Sequence, residues 1–185
     1  MPKLLELLAK NNNYDEVFGG TDKEHLHHYV SEFYEAAFEP FQERPINFLE
    51  IGIAGGASLK LWRDYFTQAN IYAVDHQNKL HPSLEFYLPR MNVFFENGYS
   101  KSFVDSLPNF DIIIDDGPHT MDSQVSCLRL YLDKLNPGGI LVIEDIAAIE
   151  FTNTYKELAG NLEHHIIDTR TKYNRYDNIM FIVRK

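Results

Sequence analysis

The chain has 185 residues, a formal net charge of −10 and one cysteine. This length is typical of one domain, and 44% hydrophobic with 24% charged residues indicates a globular rather than a disordered chain. A single cysteine excludes an intrachain disulfide and a thiolate-rich zinc site. The acidic balance argues against a broad surface for phosphate backbones, so we expect no nucleic-acid partner.

The first residues do not resemble a leader peptide. The apolar segment over residues 3–10 is short, is interrupted by Glu6 and lacks a small-residue cleavage site. No apolar run approaches the roughly 20 residues of a membrane span. We therefore expect a cytoplasmic protein without a membrane segment, which begins with a short amphipathic helix over residues 3–10 and a loop at residues 11–13.

A longer helix is predicted to begin near Thr21. Thr21 and Glu24 match the capping-box pattern, in which each side chain accepts a bond from the backbone of the other. Apolar residues then recur at helical spacing as far as Ala37. Pro40 or Pro45 is expected to end this segment.

After residue 45, apolar strands alternate with amphipathic helices. The predicted strands cover 47–53, 71–75, 92–95, 111–115, 140–144, 165–168 and 179–183. The predicted helices cover 57–66, 101–107, 121–135 and 153–163. This alternation predicts a doubly wound, Rossmann-like α/β sheet of seven strands, mostly parallel. The last two strands are too close for a helical crossover, so the last strand should be antiparallel. We expect one domain over residues 1–185, with a helical N-terminal extension over 1–45 and a core over 46–185.

Open α/β sheets bind ligands beyond the carboxyl ends of their strands, and here those ends are polar. Glu50 near the end of the first strand is followed by Gly52, Gly55 and Gly56, which would allow close approach of a ligand to the backbone. A carboxylate at Glu50 would repel a pyrophosphate but suits a cationic ligand. The alternative interpretation is an ordinary turn between strand and helix.

Asp75 closes the second predicted strand, about 20 residues after the glycines. An acid at this position can accept hydrogen bonds from both hydroxyls of a ribose. The competing interpretation is a helix cap or a solvated loop acid. The glycine-rich turn that precedes Asp75 favours the nucleoside.

Two acidic pairs close the fourth and fifth predicted strands: Asp115-Asp116, shortly before His119, and Glu144-Asp145. Adjacent strands lie about 4.8 Å apart, so these pairs would meet. Their charges repel unless a cation or protons neutralise them, and hard oxygen ligands suit Mg²⁺, with Ca²⁺ or Mn²⁺ as alternatives. His119 beside the ion would suit a general base. For either pair alone, helix capping by Asp116 or simple exposure is the better interpretation, and their coincidence favours a site.

These motifs resemble a known family. The order Glu-Ile-Gly and Gly-Gly, an acid after the second strand and Pro-Gly-Gly before the fifth is similar to class I S-adenosylmethionine-dependent methyltransferases. Residues 49–66, 111–119 and 144–145 more closely resemble the metal-dependent sugar O-methyltransferases of macrolide tailoring, of the macrocin and mycinamicin type. The segment Thr21-Asp22-Lys23, followed by Tyr29, resembles the lead-in of bacterial relatives.

The resemblance implies S-adenosylmethionine and Mg²⁺ as cofactors and a small-molecule or carbohydrate acceptor. It places four residues at the methionine end of the cofactor, namely Glu50, Gly52, Gly55 and Ser58. It assigns Asp75 to the ribose, Asn97, Gly98 and Tyr99 to the adenine, and Asp115 to the amino group. It assigns the metal to Asp116, Glu144 and Asp145, and the proton of the acceptor hydroxyl to His119. Lys23 and Tyr29 are weaker candidates for contacts with the cofactor's carboxylate or the acceptor, and His27 and His28 are expected on a solvated helix face.

The chain departs from the family pattern at two points. Asn97 stands where relatives usually have an acid, although its amide oxygen can still accept a bond from adenine. Only about 45 residues precede the first strand. We therefore expect an acceptor site that is open, completed by the N-terminal helices, or built by a second subunit of a homo-oligomer, and macrolides themselves are not implied.

Two other functions remain open from the sequence. A nicotinamide-dependent oxidoreductase would use Asp75 equally well, but the glycine spacing and Glu50 argue against it. A non-catalytic module that binds S-adenosylmethionine would explain the short chain, but it would have no need of His119 beside an acidic cluster.

Overall fold

The computed structural model describes residues 3–10, 21–82 and 90–185; the loop expected at 11–13 lies outside these ranges. Its strands are β1 (Asn47–Ile51), β2 (Asn70–Asp75), β3 (Met91–Phe95), β4 (Phe110–Asp115), β5 (Leu135–Ile143), β6 (Glu163–Asp168) and β7 (Ile179–Arg184). Its α-helices are α1 (Leu4–Lys10), α2 (Asp22–His25), α3 (Glu35–Phe38), α4 (Ala57–Tyr65), α5 (Lys101–Ser106), α6 (Met121–Tyr131), α7 (Phe151–Ala159) and α8 (Arg170–Tyr173). In these ranges no helix has the length and apolar character needed to span a bilayer.

The strands form one sheet in the order β3-β2-β1-β4-β5-β7-β6. The first five strands pair in parallel, whereas β7 is antiparallel to both β5 and β6. The predicted doubly wound sheet with an antiparallel last strand is confirmed. The strand order reverses between β1 and β4, which is where ligands bind in sheets of this type.

The register of the central strands brings their carboxyl ends level. Ile51 at the end of β1 is the partner of both Val74 on β2 and Asp115 on β4. Asp115 in turn is the partner of Ile143 on β5. Because all four strands end at the same edge, the acids that follow them are brought together there.

Apolar side chains cover both faces of the sheet. One face packs on Trp62 and its aromatic neighbours. The other packs on Leu128 of α6 and on Tyr155 of α7, which contacts Phe181 of β7 edge-on. The run Ile112-Ile113-Ile114 is buried on both faces, as expected for a central parallel strand.

The N-terminal residues form part of the first core face. Tyr34 and Phe38 contact the Trp62 ring edge-on, with ring centroids 5.6 and 5.7 Å apart. Leu4 and Leu7 of α1 belong to the same cluster. The predicted extension therefore packs over α4, the helix that follows the glycine turn. Its aromatic residues share one core cluster with α4 and with this face of the sheet.

The continuous helix predicted after Thr21 is wrong. Helix α2 ends at His25, and helical structure resumes as a π-helix over Val30–Tyr34 that continues through α3 into a 3₁₀ turn over Glu39–Phe41. The capping box is also wrong, because the Thr21 hydroxyl caps no backbone group. The Glu24 carboxylate instead accepts a 2.9 Å bond from the Ser31 amide, farther along the chain.

The boundaries around β5 and β6 also differ from the prediction. Helix α6 ends at Tyr131, and β5 begins at Leu135, so that Pro137, Gly138 and Gly139 lie inside the strand rather than before it. The Gly138 amide donates to the Lys185 carbonyl, which extends the pairing past the proline. Helix α7 ends before Glu163, which is the first residue of β6.

Candidate active site

A cavity of about 730 Å³ lies at the carboxyl ends of β1, β2 and β4. This volume is typical of sites for small ligands and cofactors. Of the residues predicted to bind a cofactor, the wall contains Gly52, Ser58, Asp75, Asn97, Gly98 and Tyr99. Asp116 and His119 line the same cavity.

Gly52 brings the turn after β1 against the turn after β4. Its φ of +89° is a left-handed conformation, and a Cβ at this position would lie 1.9 Å from the Asp116 carbonyl oxygen. Only glycine satisfies both conditions without strain. The glycine motif is thus required here for the close approach of two backbone segments, which together form one side of the cavity.

Asp75 holds the glycine-rich turn in place while it faces the cavity. Its Oδ2 accepts hydrogen bonds from the amides of Ile53 (3.0 Å) and Ala54 (3.3 Å), and its Oδ1 accepts from Gln77 (3.0 Å). Burial raises the pKa of this carboxyl, but these backbone donors outweigh burial and lower it. Asp75 is therefore a fixed carboxylate whose remaining lone pairs are available to a ligand.

Asp115 lies below the cavity wall with one oxygen already in use. Its Oδ1 accepts a 2.6 Å bond from the Tyr99 hydroxyl, while its buried Oδ2 has no hydrogen-bond partner. Burial raises the pKa of this carboxyl to about 7 despite the bond from Tyr99. A buried oxygen without a partner is costly, so this site favours a cationic donor such as an ammonium group.

The acidic pairs of β4 and β5 meet, as their strand positions predict. Ligand atoms of Asp116, His119 and Asp145 all lie within 4.8 Å of one another, close enough for one metal ion. Glu144 does not belong to this group of three, although it was predicted to be a ligand. A second possible group, Asp22 with His27, shares Asp145.

The backbone gives His119 and Asp145 their directions. Both residues have left-handed backbone conformations, with φ of +56° and +53°, which are uncommon for residues other than glycine. Thr120 rather than Asp116 caps α6, because the Thr120 hydroxyl accepts from the Ser123 amide. The capping alternative for Asp116 is therefore wrong, and its carboxylate is directed into the cluster.

His119 is oriented by the acids around it. Its Nε2 lies 3.1 Å from Oδ1 of Asp116 and 3.7 Å from Oδ2 of Asp145. Burial lowers the pKa of the imidazole, but the bond to Asp116 and the charges of Asp116, Asp145 and Asp115 raise it to about 9. While these acids are charged, the ring is an imidazolium at neutral pH.

Lys23 supplies a cation inside the acidic cluster. Its Nζ lies 2.7 Å from Asp116 Oδ2, 2.5 Å from Glu144 Oε2 and 3.4 Å from Glu50 Oε1, and its side chain is 1% exposed. Burial alone would lower the pKa of the ammonium, but the three carboxylates raise it well above its ordinary value. The cation that the clustered acids require is thus partly provided by the chain itself.

Glu50 and Gly55, which the resemblance assigns to the methionine end of the cofactor, are not part of the cavity wall. Glu50 is fully buried and accepts from Ser58 Oγ at 2.8 Å and Trp62 Nε1 at 3.2 Å. Its partners Ser58 and Trp62 both belong to α4, so the side chain lies on the face of β1 that α4 covers. Burial raises the pKa of Glu50 to about 7, although Lys23 opposes this rise.

The N-terminal segment makes further contacts with the cluster. The Tyr29 hydroxyl donates to Asp145 at 2.6 Å, and the Tyr34 hydroxyl donates to Glu144. His27 is buried and its Nδ1 lies 2.8 Å from Asn178 Oδ1, so the expectation of a solvated face is wrong for this residue. His28 is partly exposed and stacks on Tyr173.

Sequence reasoning missed several residues of the cavity wall, among them Thr21, His25, Leu26, Lys79 and Glu96. Glu96 directly precedes Asn97, so an acid does lie in the wall next to the position where the family pattern has one. The residues of α2 gave no signal beyond the Thr-Asp-Lys lead-in, because their place at the cavity depends on contacts far along the chain.

Comparisons with known proteins identify the family of this chain. A methyltransferase domain family matches residues 49–146. An 8-demethyl-8-α-L-rhamnosyl tetracenomycin-C 2′-O-methyltransferase of Streptomyces olivaceus is 33% identical over 138 residues, which are 69% of this chain and 35% of the relative. A demethylmacrocin O-methyltransferase of Streptomyces fradiae is 28% identical over 64% of this chain and 32% of its own length. The chain therefore spans about a third of the length of these curated relatives.

The fold is shared with a solved structure. The MycE methyltransferase of mycinamycin biosynthesis, in complex with Mg, SAH and mycinamycin VI, superposes with a TM-score of 0.75 at 19% identity. The match covers all of this chain and 53% of MycE. The family model covers the glycine turn, Asp75 and both acidic pairs. The chain therefore belongs to the methyltransferase domain family, as the sequence resemblance predicts.

Proposed function

We propose that the chain is an S-adenosylmethionine-dependent O-methyltransferase that acts on a sugar or another polyhydroxylated acceptor. The observation that carries this proposal is the meeting of Asp116, His119 and Asp145 beside the glycine-lined cavity. The relatives support it, since their names describe methylation of sugar hydroxyls on tetracenomycin and macrocin. Membership of the methyltransferase domain family argues against the nicotinamide alternative.

The cavity suits the proposed cofactor in its volume and in the fixed lone pairs that Asp75 offers to ribose hydroxyls. Asp115 is not part of the cavity wall, and its buried Oδ2 below that wall would suit the amino group. Asn97 and Tyr99 in the wall would contact the adenine. S-adenosylmethionine supplies an electrophilic methyl group, and the remaining task of the chain is to place an acceptor oxygen in line with it.

The acidic cluster suits a divalent cation. Asp116 and Asp145 are hard oxygen donors, and with His119 they are close enough to surround one ion. Asp116 and Asp145 would hold Mg²⁺, and Glu144 would join them only by giving up part of its bond to Lys23. A bound Mg²⁺ lowers the pKa of a coordinated hydroxyl and orients it.

In this mechanism Nδ1 of His119 accepts the proton of the acceptor hydroxyl, because Nε2 faces Asp116 and Asp145 and carries the hydrogen bond to Asp116. Those two charges are also what raises the pKa of His119. Once the negative charges of Asp116 and Asp145 are neutralised, they no longer raise the pKa of His119. The imidazole can then accept a proton near neutral pH. Asp116 keeps the ring in position through its 3.1 Å contact.

The proposal is tested by methyl transfer from labelled S-adenosylmethionine to rhamnosides and other glycosides, with Mg²⁺ and with EDTA. We expect transfer that requires the metal. Binding of S-adenosylhomocysteine without transfer to any glycoside would instead support the non-catalytic binding module. Absence of binding in calorimetry would overturn the methyltransferase assignment itself.

A further inference from the structure

The arrangement around Lys23 bears on how the acidic cluster receives a metal ion, and the inference below rests on the proposed metal site. We infer that Lys23 is a resident cation of the cluster and competes with a divalent ion for Asp116 and Glu144. Lys23 would then act on the reaction through these ligands, as a positioning residue that weakens metal binding.

Lys23 contacts three acids at once. Its ammonium lies between Asp116, Glu144 and Glu50, at 2.7, 2.5 and 3.4 Å. An ammonium has three donors and is here surrounded by three carboxylates. This arrangement satisfies a buried charge, and it occupies the space between two of the three predicted metal ligands.

Glu144 already makes two hydrogen bonds inside the cluster. Its Oε2 accepts from Lys23 and its Oε1 accepts from the Tyr34 hydroxyl, and the residue is 1% exposed. Both oxygens therefore already have donors from the N-terminal segment. This explains why the three ligand atoms that lie within reach of one ion come from Asp116, His119 and Asp145, without Glu144.

The charge of Lys23 would also repel a metal ion bound to Asp116. Asp116 uses Oδ2 for Lys23 and directs Oδ1 to His119, so an ion bound at Oδ1 would share one carboxylate with the ammonium. Asp116 is partly buried, with 22% of its side chain exposed, so two cations that share it repel each other more than they would in bulk water. An entering ion must therefore overcome this repulsion or displace the ammonium from its acids.

The test is Mn²⁺ binding in the absence of cofactor and acceptor, measured from the electron paramagnetic resonance signal of free Mn²⁺. The variant Lys23→Met removes the charge and keeps most of the stem. We expect Lys23→Met to bind Mn²⁺ at least about tenfold more tightly than the unmodified protein, since the repulsion is gone. Lys101→Met, which removes an exposed lysine paired with Asp105, is the matched control and should change nothing.

A second arm asks whether Glu144 is the contested ligand. Glu144→Gln should weaken Mn²⁺ binding more in the Lys23→Met background than in the unmodified protein, because only there is Glu144 released. Equal losses in the two backgrounds would mean that Lys23 does not compete for Glu144, and would overturn this part of the inference.

Thermal unfolding gives a readout that is independent of the Mn²⁺ binding measurement. Without metal, Lys23→Met should melt below the unmodified protein, since buried acids lose their counter-charge. Added Mn²⁺ should raise its melting temperature by more than that of the unmodified protein. If Lys23→Met does not fold, the same comparison is made between Glu50→Gln and the double variant Lys23→Met/Glu50→Gln, which loses one charge of each sign.

The outcomes separate this inference from the proposed function. Unchanged or weaker Mn²⁺ binding in Lys23→Met, with clear binding in the unmodified protein, overturns the inference and leaves the metal site intact. Binding by neither protein overturns the metal site itself, and the inference with it. Binding by Lys23→Met alone supports the inference in its strongest form.

Discussion

The Tyr29 hydroxyl donates a 2.6 Å hydrogen bond to Oδ1 of Asp145, across 116 residues of sequence. The Asp145 amide approaches the same hydroxyl at 3.4 Å. Tyr29 therefore satisfies both the side chain and the backbone of a residue held in a left-handed conformation. The N-terminal segment is by this contact part of the acidic site as well as a cover for the sheet.

Removal of this hydroxyl should destabilise the fold. In Tyr29→Phe the ring remains in the core, but a buried carboxylate oxygen loses its closest donor. We expect a loss of about 1–3 kcal/mol in the free energy of unfolding, measured by urea denaturation. Tyr176→Phe, at a residue that is 75% exposed, should leave the free energy unchanged. Equal stability of the two variants would show that the Tyr29 contact contributes nothing.

Two glycines with similar backbone angles allow sterics to be separated from conformation. Gly52 and Gly138 have φ of +89° and +79°, but a Cβ would strike the Asp116 carbonyl at Gly52 and would meet nothing within 4 Å at Gly138. Alanine at either position pays for a left-handed conformation, about 1–2 kcal/mol. We expect Gly52→Ala to lose about 1–3 kcal/mol more than Gly138→Ala in urea denaturation, because it also overpacks the turn. Equal losses would mean that the turn can move to accommodate the methyl group.

The sheet was predictable because its signals are local. Alternating apolar strands and helices predict the doubly wound order, and the short connection before Ile179 predicts the antiparallel ending. The meeting of Asp116 with Asp145 also follows, since both residues lie within two positions of the ends of adjacent parallel strands. Strand ends and pairing rules are sufficient for this part of the site.

The counter-charges were not predictable by the same means. Lys23 reaches Asp116 and Glu144 across 93 and 121 residues, and nothing in the local pattern indicates a buried lysine. The sequence indicated that a cation must neutralise the acids, and the structure shows that one such cation is the chain's own ammonium.

The proline and glycines before Ile140 illustrate a different limit. Pro-Gly-Gly normally ends an element, and a boundary was therefore predicted at this point. In the fold, Asn136 donates to Asp111 at 3.1 Å and Gly138 bonds to Lys185, so β5 continues through the motif. Partners far along the chain outweigh the local preference.

Asp75 provides a direct test of the cofactor site. In Asp75→Asn one oxygen is retained, which can still accept from the glycine turn, but the charge that would bind ribose hydroxyls is lost. Hydrogen bonds to charged groups contribute about 1.5–3 kcal/mol, so the affinity for S-adenosylhomocysteine should fall about 10- to 100-fold in calorimetry. The control variant Asp105→Asn, which removes an exposed acid of α5, should bind S-adenosylhomocysteine with the affinity of the unmodified protein. Undiminished binding by Asp75→Asn would exclude Asp75 as the ribose ligand.

His119 can be replaced without disturbing its backbone. Asparagine tolerates the left-handed conformation at φ +56° better than alanine does, so His119→Asn isolates the loss of the imidazole. We expect kcat for methyl transfer to fall about 10²- to 10⁴-fold, the usual contribution of a general base. The affinity for S-adenosylhomocysteine should stay within about threefold, because the proposed ribose and ammonium ligands are Asp75 and Asp115. His165→Asn, which changes an exposed histidine paired with Glu163 on β6, should keep full turnover. If His119→Asn also kept full turnover, the proton would have to leave by another group, whereas equal losses of turnover and cofactor affinity would assign His119 to binding instead.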